Sequence, residues 1–501
     1  MTITVNVPGV PGVVQTYVLP NTYRDSVELM RVAAELEHMP GVERAALVMG
    51  TPANCAILSD AGLLIPEARD VGVNDLVIAA GGSSATTVAA ALARARVMLA
   101  SQPAPGASSA SAPAPPRTIA EAIADQPSAR LAMISTPGAY ATAEALKALK
   151  RGLHVFLFSD NVTLADEIEL KRLAARKRLF VMGPDCGTAI VDGIPLGFAN
   201  VVRRGCIGLV AASGTGLQQV TCLIDALGEG VSQAIGVGGR DLDQQVGGTM
   251  MLAALEHLAS DPDTRVIVLL SKPPATAVAR AVLAQAQATG KPVVVNFLGG
   301  ADTVERDGSL VHVPTLEEAA VWAVALARGE VLVDAPQVAS ELVELARAAG
   351  SRLKPGQWRI RGLYSGGTLC KEAAHVLHDL GAGHELIDLG DDEFTVGRPH
   401  PMIDPRLRNE RIVACANDPT TAVLLLDVVL GHGAHPDPAG ALQPALEAAS
   451  NVVIVASVCG TAADPQGLSQ QCALLRQAGV LLAPSNAQAA RLAALVVGGR
   501  T

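Results

Sequence analysis

Along the chain, short unbroken runs of Val, Ile, Leu and Ala alternate with stretches of helical period, and most runs end in Gly, Pro, Ser or Asp. Such a run is too short for a helix and reads as a strand covered on both faces, the pattern of parallel sheets flanked by crossover helices. After a first unit with strands Val42–Met49 and Asp75–Ala80 and helices from Ser26 (or Asp25) to His38 and Ser84–Ala100, three α/β blocks are predicted. The first has strands Ala129–Ile134, Val155–Ser159 and Leu179–Met182 with helices Ala141–Lys150 and Leu164–Ala175. The second has strands Ile207–Ala211, Ala234–Val237, Val266–Leu270 and Val293–Phe297. The third has Arg359–Tyr364, Glu385–Leu389, Val423–Val428, Val452–Ala456 and Val480–Ala483. The expected fold class is therefore α/β: several doubly wound parallel-sheet domains behind a small N-terminal α+β domain.

Segmentation follows the same pattern: residues 1–100, a Pro/Ala/Ser linker at 101–117, α/β domains at 118–202 and 203–325, a connecting segment at 326–356, and a last α/β domain at 357–501. The linker, rich in Pro and small residues, cannot bury apolar surface.

Two turns stand out. The strand before Ser213-Gly214-Thr215-Gly216 hands the chain to a helix, and the strand ending at Tyr364 meets Ser365-Gly366-Gly367-Thr368 and a helix over Leu369–Leu380. A helix that starts at such a turn presents unpaired N–H groups and its positive dipole end, a fit for phosphate or carboxylate. The strands of the first block end in Thr136-Pro-Gly138, in Asp160 and Asn161, and in Gly183-Pro184-Asp185-Cys186. Ligands of open α/β sheets bind at that edge.

Half of the 501 residues are hydrophobic but only 2% are aromatic, so the cores must be built from aliphatic side chains. The net charge of −10 with scattered basic residues excludes a nucleic-acid footprint. Absence of a long apolar run leads to the expectation of a cytoplasmic protein without membrane contact. The eight cysteines show no C-x-x-C pair and read as buried, reduced thiols.

Longer motifs carry a family resemblance: Met49–Asn54 (MGTPAN), Phe158–Leu164 (FSDNVTL), Gly239–Leu242 (GRDL), Ser271–Pro274 (SKPP) and Gly397–Pro405 (GRPHPMIDP). On these the chain resembles the FdrA family, whose body is similar to the two subunits of succinyl-CoA synthetase-type acid–thiol ligases. Residues 118–300 are similar to the ligase α subunit through Gly183-Pro-Asp-Cys, Ser213-Gly-Thr and Gly236-Val-Gly-Gly, and 357–501 to the C-terminal domain of the β subunit. The resemblance implies a CoA-binding Rossmann-like domain at 118–202 and flavodoxin-like domains at 203–325 and 357–501. CoA or another nucleotide is the only cofactor it leaves open.

The departures are as informative. The ligases' phosphorylated histidine follows a strand equivalent to Val293–Phe297; here that region reads Phe297-Leu-Gly-Gly-Ala-Asp-Thr-Val304, with no histidine before His312. No segment is left for an ATP-grasp domain. His432 and His435 follow a strand of the last block, and no metal is expected there. FdrA resemblance implies one subunit of an oxamate carbamoyltransferase of allantoin catabolism, acting with two partner proteins and exchanging a carbamoyl group between carbamoyl phosphate and oxamate, a small carboxylate amide. In that reading both turns hold the phosphate, Arg240, Lys272 or Arg398 stabilises its charge, and the protein is oligomeric. The alternatives are an acyl-CoA ligase or CoA-binding acyl-transfer module, and a non-catalytic assembly scaffold.

Overall fold

The computed structural model describes residues 2–5, 13–22, 24, 26–37, 39–60, 62–63, 71–101, 116–300, 303–330, 337–381, 383–395 and 399–498. Asp25, His38, linker residues 102–115 and Arg398 lie outside the described residues. The chain divides into two compact units, residues 1–125 with 396–399 and residues 126–395 with 400–501.

In the first unit four antiparallel strands lie in the order Thr2–Val5, Val13–Leu19, Leu76–Gly82, Val42–Met49. Leu76–Gly82 is inside the sheet, which explains its continuous apolar run. Its Leu76, Ile78 and Ala80 pack with Leu29, Leu36, Val88 and Leu92 of the helices Ser26–Glu37 and Ala85–Ser101. Val77 and Ala79 belong to a second cluster with Leu58 and Leu63.

Among the described residues the second unit holds three sheets. Leu131–Ile134, His154–Leu157 and Val181–Met182 are parallel neighbours. An eight-stranded sheet is centred on Arg204–Ala212, Val231–Gly236, Val266–Ser271 and Val293–Phe297. A five-stranded parallel sheet runs Glu385–Asp388, Arg359–Tyr364, Thr421–Val429, Val453–Cys459, Leu481–Ala483. The periodicity misses the hairpin Thr188–Val191 and Ile194–Gly197. Although its residues fall in the 118–202 segment, the hairpin pairs with Val231–Gly236 and extends the sheet of the next segment.

One apolar cluster spans the second and third blocks. Leu217, Val220, Ala319 and Ala323 belong to it together with Leu369, Ala373, Ala490 and Leu492. Small residues on the helices permit this close packing: even a methyl at Gly350, on the helix Ser340–Gly350, would meet the Val496 carbonyl at 2.6 Å.

Candidate functional site

The two glycine turns meet. The helix Gly214–Ala226 starts at Ser213, whose hydroxyl accepts from the Gly216 N–H at 3.0 Å, and the helix Gly367–Val376 starts at Gly366. Ser213 Oγ and Thr368 Oγ1 are 2.6 Å apart in a hydrogen bond. A methyl at Gly366 would stand 2.9 Å from Thr215 Cγ2, and one at Gly216 would stand 3.1 Å from Thr368 Cγ2. At Gly366 the neighbouring turn fills the space a side chain would take, and at Gly216 the Ser213 hydroxyl of its own turn stands nearer still.

Not all donors of the second turn are open to a ligand. Asp427 accepts from the Ser365 N–H (2.8 Å), the Ser365 hydroxyl (3.1 Å) and the Gly366 N–H (2.8 Å). Its carboxylate is paired with the buried Arg408 at 2.9 Å, and Arg408 also donates to the Leu363 and Asp427 carbonyls. Ser213, Ser365 and Thr368 are buried and occupied with one another or with Asp427, whereas Gly214, Thr215 and Gly367 are half-buried and form the open mouth.

Around the mouth stand charged groups from both blocks. Lys272 follows the strand Val266–Ser271, and Lys371 lies on the helix Gly367–Val376. Burial and then the like charge of Lys272 push the Lys371 ammonium below its usual range. Asp388 ends the strand Glu385–Asp388; its Oδ1 accepts from the Gly390 N–H at 3.0 Å, and its Oδ2 crowds the position where Gly367 would carry a side chain. Burial raises the Asp388 pKa, with a further upward push from Asp427 and an opposing pull from Lys272. His400 Nδ1 accepts from the Met402 N–H at 3.2 Å, and its ring lies 5.7 Å from that of Phe198. Burial pushes this imidazole down to about 4, so at neutral pH it is uncharged, with the proton on Nε2.

The other expected site residues fall elsewhere. Arg240 pairs with Glu167 at 2.9 Å and donates to the Val162 carbonyl; Glu167 in turn holds Lys171, which reaches Asp241 at 2.8 Å. These bonds tie the GRDL loop to the helix Leu164–Lys177. The three strand-end loops do adjoin: the Asp185 N–H donates to the Ser159 carbonyl, and a methyl at Gly138 would strike Asp160 and Asn161, which are exposed. Gly183 and Pro184 pack beneath Gly238, leaving no room for a side chain there. Burial pushes the Cys186 thiol up to about 12, which suits a packing residue rather than a nucleophile. The His432 N–H donates to the Ala199 carbonyl, and His435 Nδ1 accepts from the Asp437 N–H. Among the described residues no cluster of three His, Cys, Asp or Glu could hold a metal, and no helix is long and apolar enough to cross a membrane.

The sequence reasoning passed over Lys371, Asp388, His400, Arg408 and Asp427. Asp427 carried a signal: it is the one carboxylate inside the apolar run Thr421–Val429, and a buried charge requires partners.

This is the architecture of a succinyl-CoA synthetase-like protein with a CoA-ligase fold. Residues 363–496 match the CoA-ligase family, 203–299 the CoA binding domain and 12–115 the AllF heavy metal-associated domain. The chain belongs to the family of the uncharacterized protein YahF of Escherichia coli (strain K12), with 42% identity over 510 residues, 96% of this chain and 98% of YahF. It is also 30% identical over 193 residues to the ADP-forming sulfoacetate-CoA ligase subunit SauD of Bilophila wadsworthia (strain 3_1_6), 36% of this chain and 63% of that one. With the α subunit of ADP-forming succinate–CoA ligase from Staphylococcus epidermidis (strain ATCC 35984 / DSM 28319 / BCRC 17069 / CCUG 31568 / BM 3577 / RP62A) the identity is 25% over 176 residues, 34% of this chain and 57% of that subunit.

Proposed function

We propose that the chain transfers an acyl-type group to or from phosphate, the phosphate lying at the mouth of Gly214, Thr215 and Gly367 between Lys272 and Lys371. The observation that carries this reading is the Ser213–Thr368 hydrogen bond, which brings two helix N-termini from different sheets to one point. Oriented N–H groups and two ammonium groups would neutralise the phosphate as it departs, without a protein nucleophile. Its specific form is carbamoyl exchange between carbamoyl phosphate and oxamate, as one subunit of a cytoplasmic FdrA-type complex with two partner proteins in allantoin catabolism. The AllF match and the lack of a histidine between Phe297 and Val304 support that form. A second reading is a CoA-binding acyl-transfer or ligase module, supported by the CoA-ligase and CoA binding domain matches.

Calorimetric titration of the purified chain with inorganic phosphate, carbamoyl phosphate and CoA separates these readings. Phosphate and carbamoyl phosphate are expected to bind, with affinity lost in the Lys272→Ala, Lys371→Ala double variant. Binding of CoA alone would favour the second reading, and binding of none would leave an assembly scaffold.

A further inference from the structure

Three groups converge on Gly390. The position its missing side chain would take lies 2.6 Å from His400 Nε2, 2.8 Å from the Ser365 carbonyl oxygen and 3.2 Å from Asp388 Oδ1. Glycine thus lets the second turn, the strand Glu385–Asp388 and His400 close on one point. Asp388 is half-buried and held by the Gly390 N–H through Oδ1 only. Among the described residues nothing hydrogen-bonds its Oδ2, which lies over Gly367 at the start of the helix. Asp388 Oδ2 thus stands at the positive end of this helix with no protein donor among the described residues, close to where the proposed phosphate would lie.

We infer that Asp388 is a catalytic proton acceptor of this site, taking the proton of the attacking group through Oδ2 and returning it to the departing phosphate. This rests on the phosphate-transfer reading above. For an amide acceptor and carbamoyl phosphate, the acceptor nitrogen forms a bond to the carbamoyl carbon and the bond from that carbon to the phosphate oxygen breaks. The nitrogen's proton passes to Asp388 and then to phosphate, which leaves as the hydrogen phosphate dianion, so atoms and charge balance with no further reactant. The groups facing Asp388 fit the cycle. Lys272 and Lys371 are near enough for their charges to interact and would neutralise the phosphate together, Asp427 and Asp391 raise the proton affinity of Asp388, and uncharged His400 would offer Nε2–H to the reacting carbonyl.

The test uses the intact chain and inorganic phosphate. Calorimetry at a pH where free phosphate is the dianion, repeated in buffers of different ionisation enthalpy, measures the protons taken up on binding. Wild type should take up about one proton, shared between Asp388 and the ion, plus any share Lys371 contributes. Asp388→Asn, which keeps the bond to the Gly390 N–H, should lose that proton, bind phosphate at least as tightly, and melt at the wild-type temperature; Asp388→Glu should restore uptake. Equal uptake by wild type and Asp388→Asn would overturn the inference while leaving the phosphate site standing. Failure of wild type to bind phosphate would overturn the phosphate-transfer reading and this inference with it.

Discussion

At the residue scale, the glycines of the two turns are not equivalent, although the sequence presents them as a matched pair. A methyl at Gly214 meets its nearest neighbour, Thr188 Oγ1, at 3.5 Å, an ordinary contact, whereas at Gly366 it meets three Thr215 atoms at 2.9–3.0 Å. Gly214→Ala is expected to leave urea stability within about 0.5 kcal/mol of wild type. Gly366→Ala should cost about 1–3 kcal/mol through overpacking and should weaken phosphate binding by pushing the turns apart. Equal melting of the two variants would show that the turns do not depend on close approach. The glycines, Ser213 and Ser365 were legible because a turn between strand and helix is written locally. Asp388 and His400 were not, since each becomes a site residue only through contacts across the fold.

At the scale of elements, the helix Leu316–Arg328 is bound to its neighbours by a buried carboxylate. Glu372 on Gly367–Val376 accepts from the Leu316 N–H at 2.6 Å and from Asn486 Nδ2 at 2.8 Å, joining helices of two blocks to the C-terminal helix Asn486–Gly498. Burial raises its pKa to about 7, with Asn486 and Leu316 pulling down, Glu317 pushing up and Arg491 pulling down. The native state then holds a proton that the unfolded chain has released between its own carboxylate range and about pH 7. Stability is fully present below the unfolded pKa and declines as pH rises through that window, by up to about 1.4 kcal/mol per unit. In Glu372→Gln this share of the pH dependence should vanish when urea unfolding is compared from pH 5 to 8. Identical slopes would mean that Glu372 is already ionised in the native state. Parallel pairing of the predicted strands in the two large sheets was within reach of the sequence, because it follows from alternating strands and crossover helices. The hairpin Thr188–Gly197 escaped, since its short strands carry Pro195 and Gly197 and resemble a loop.

At the scale of the whole second unit, the blocks resembling two separate ligase subunits are joined as a folded core is joined. Ser213 meets Thr368, Asn200 Nδ2 donates to the Leu430 carbonyl and to Asp464, and buried Cys222 and Cys459 have their sulfurs 3.9 Å apart. Apolar side chains of both blocks fill one cluster, so separating them would expose surface of the kind whose burial drives folding. The two blocks should therefore unfold together. The protein's two tryptophans report on one block each: Trp322, buried on Leu316–Arg328 beneath the Arg306 guanidinium, and Trp358, 43% exposed at the start of the last block beside His384. In the single-tryptophan proteins Trp322→Phe and Trp358→Phe, fluorescence should follow the block that keeps its indole. After correction for each variant's overall stability by circular dichroism, both should give the same urea midpoint and slope as the dichroism itself, the signature of one cooperative transition. Phosphate should move the two midpoints upward together, because an ion held by Gly214 and Gly367 binds only where both blocks are folded. Midpoints that separate, or that phosphate shifts in one block alone, would show that the seam is a docking surface between independent domains and that the two helix N-termini do not share an anion.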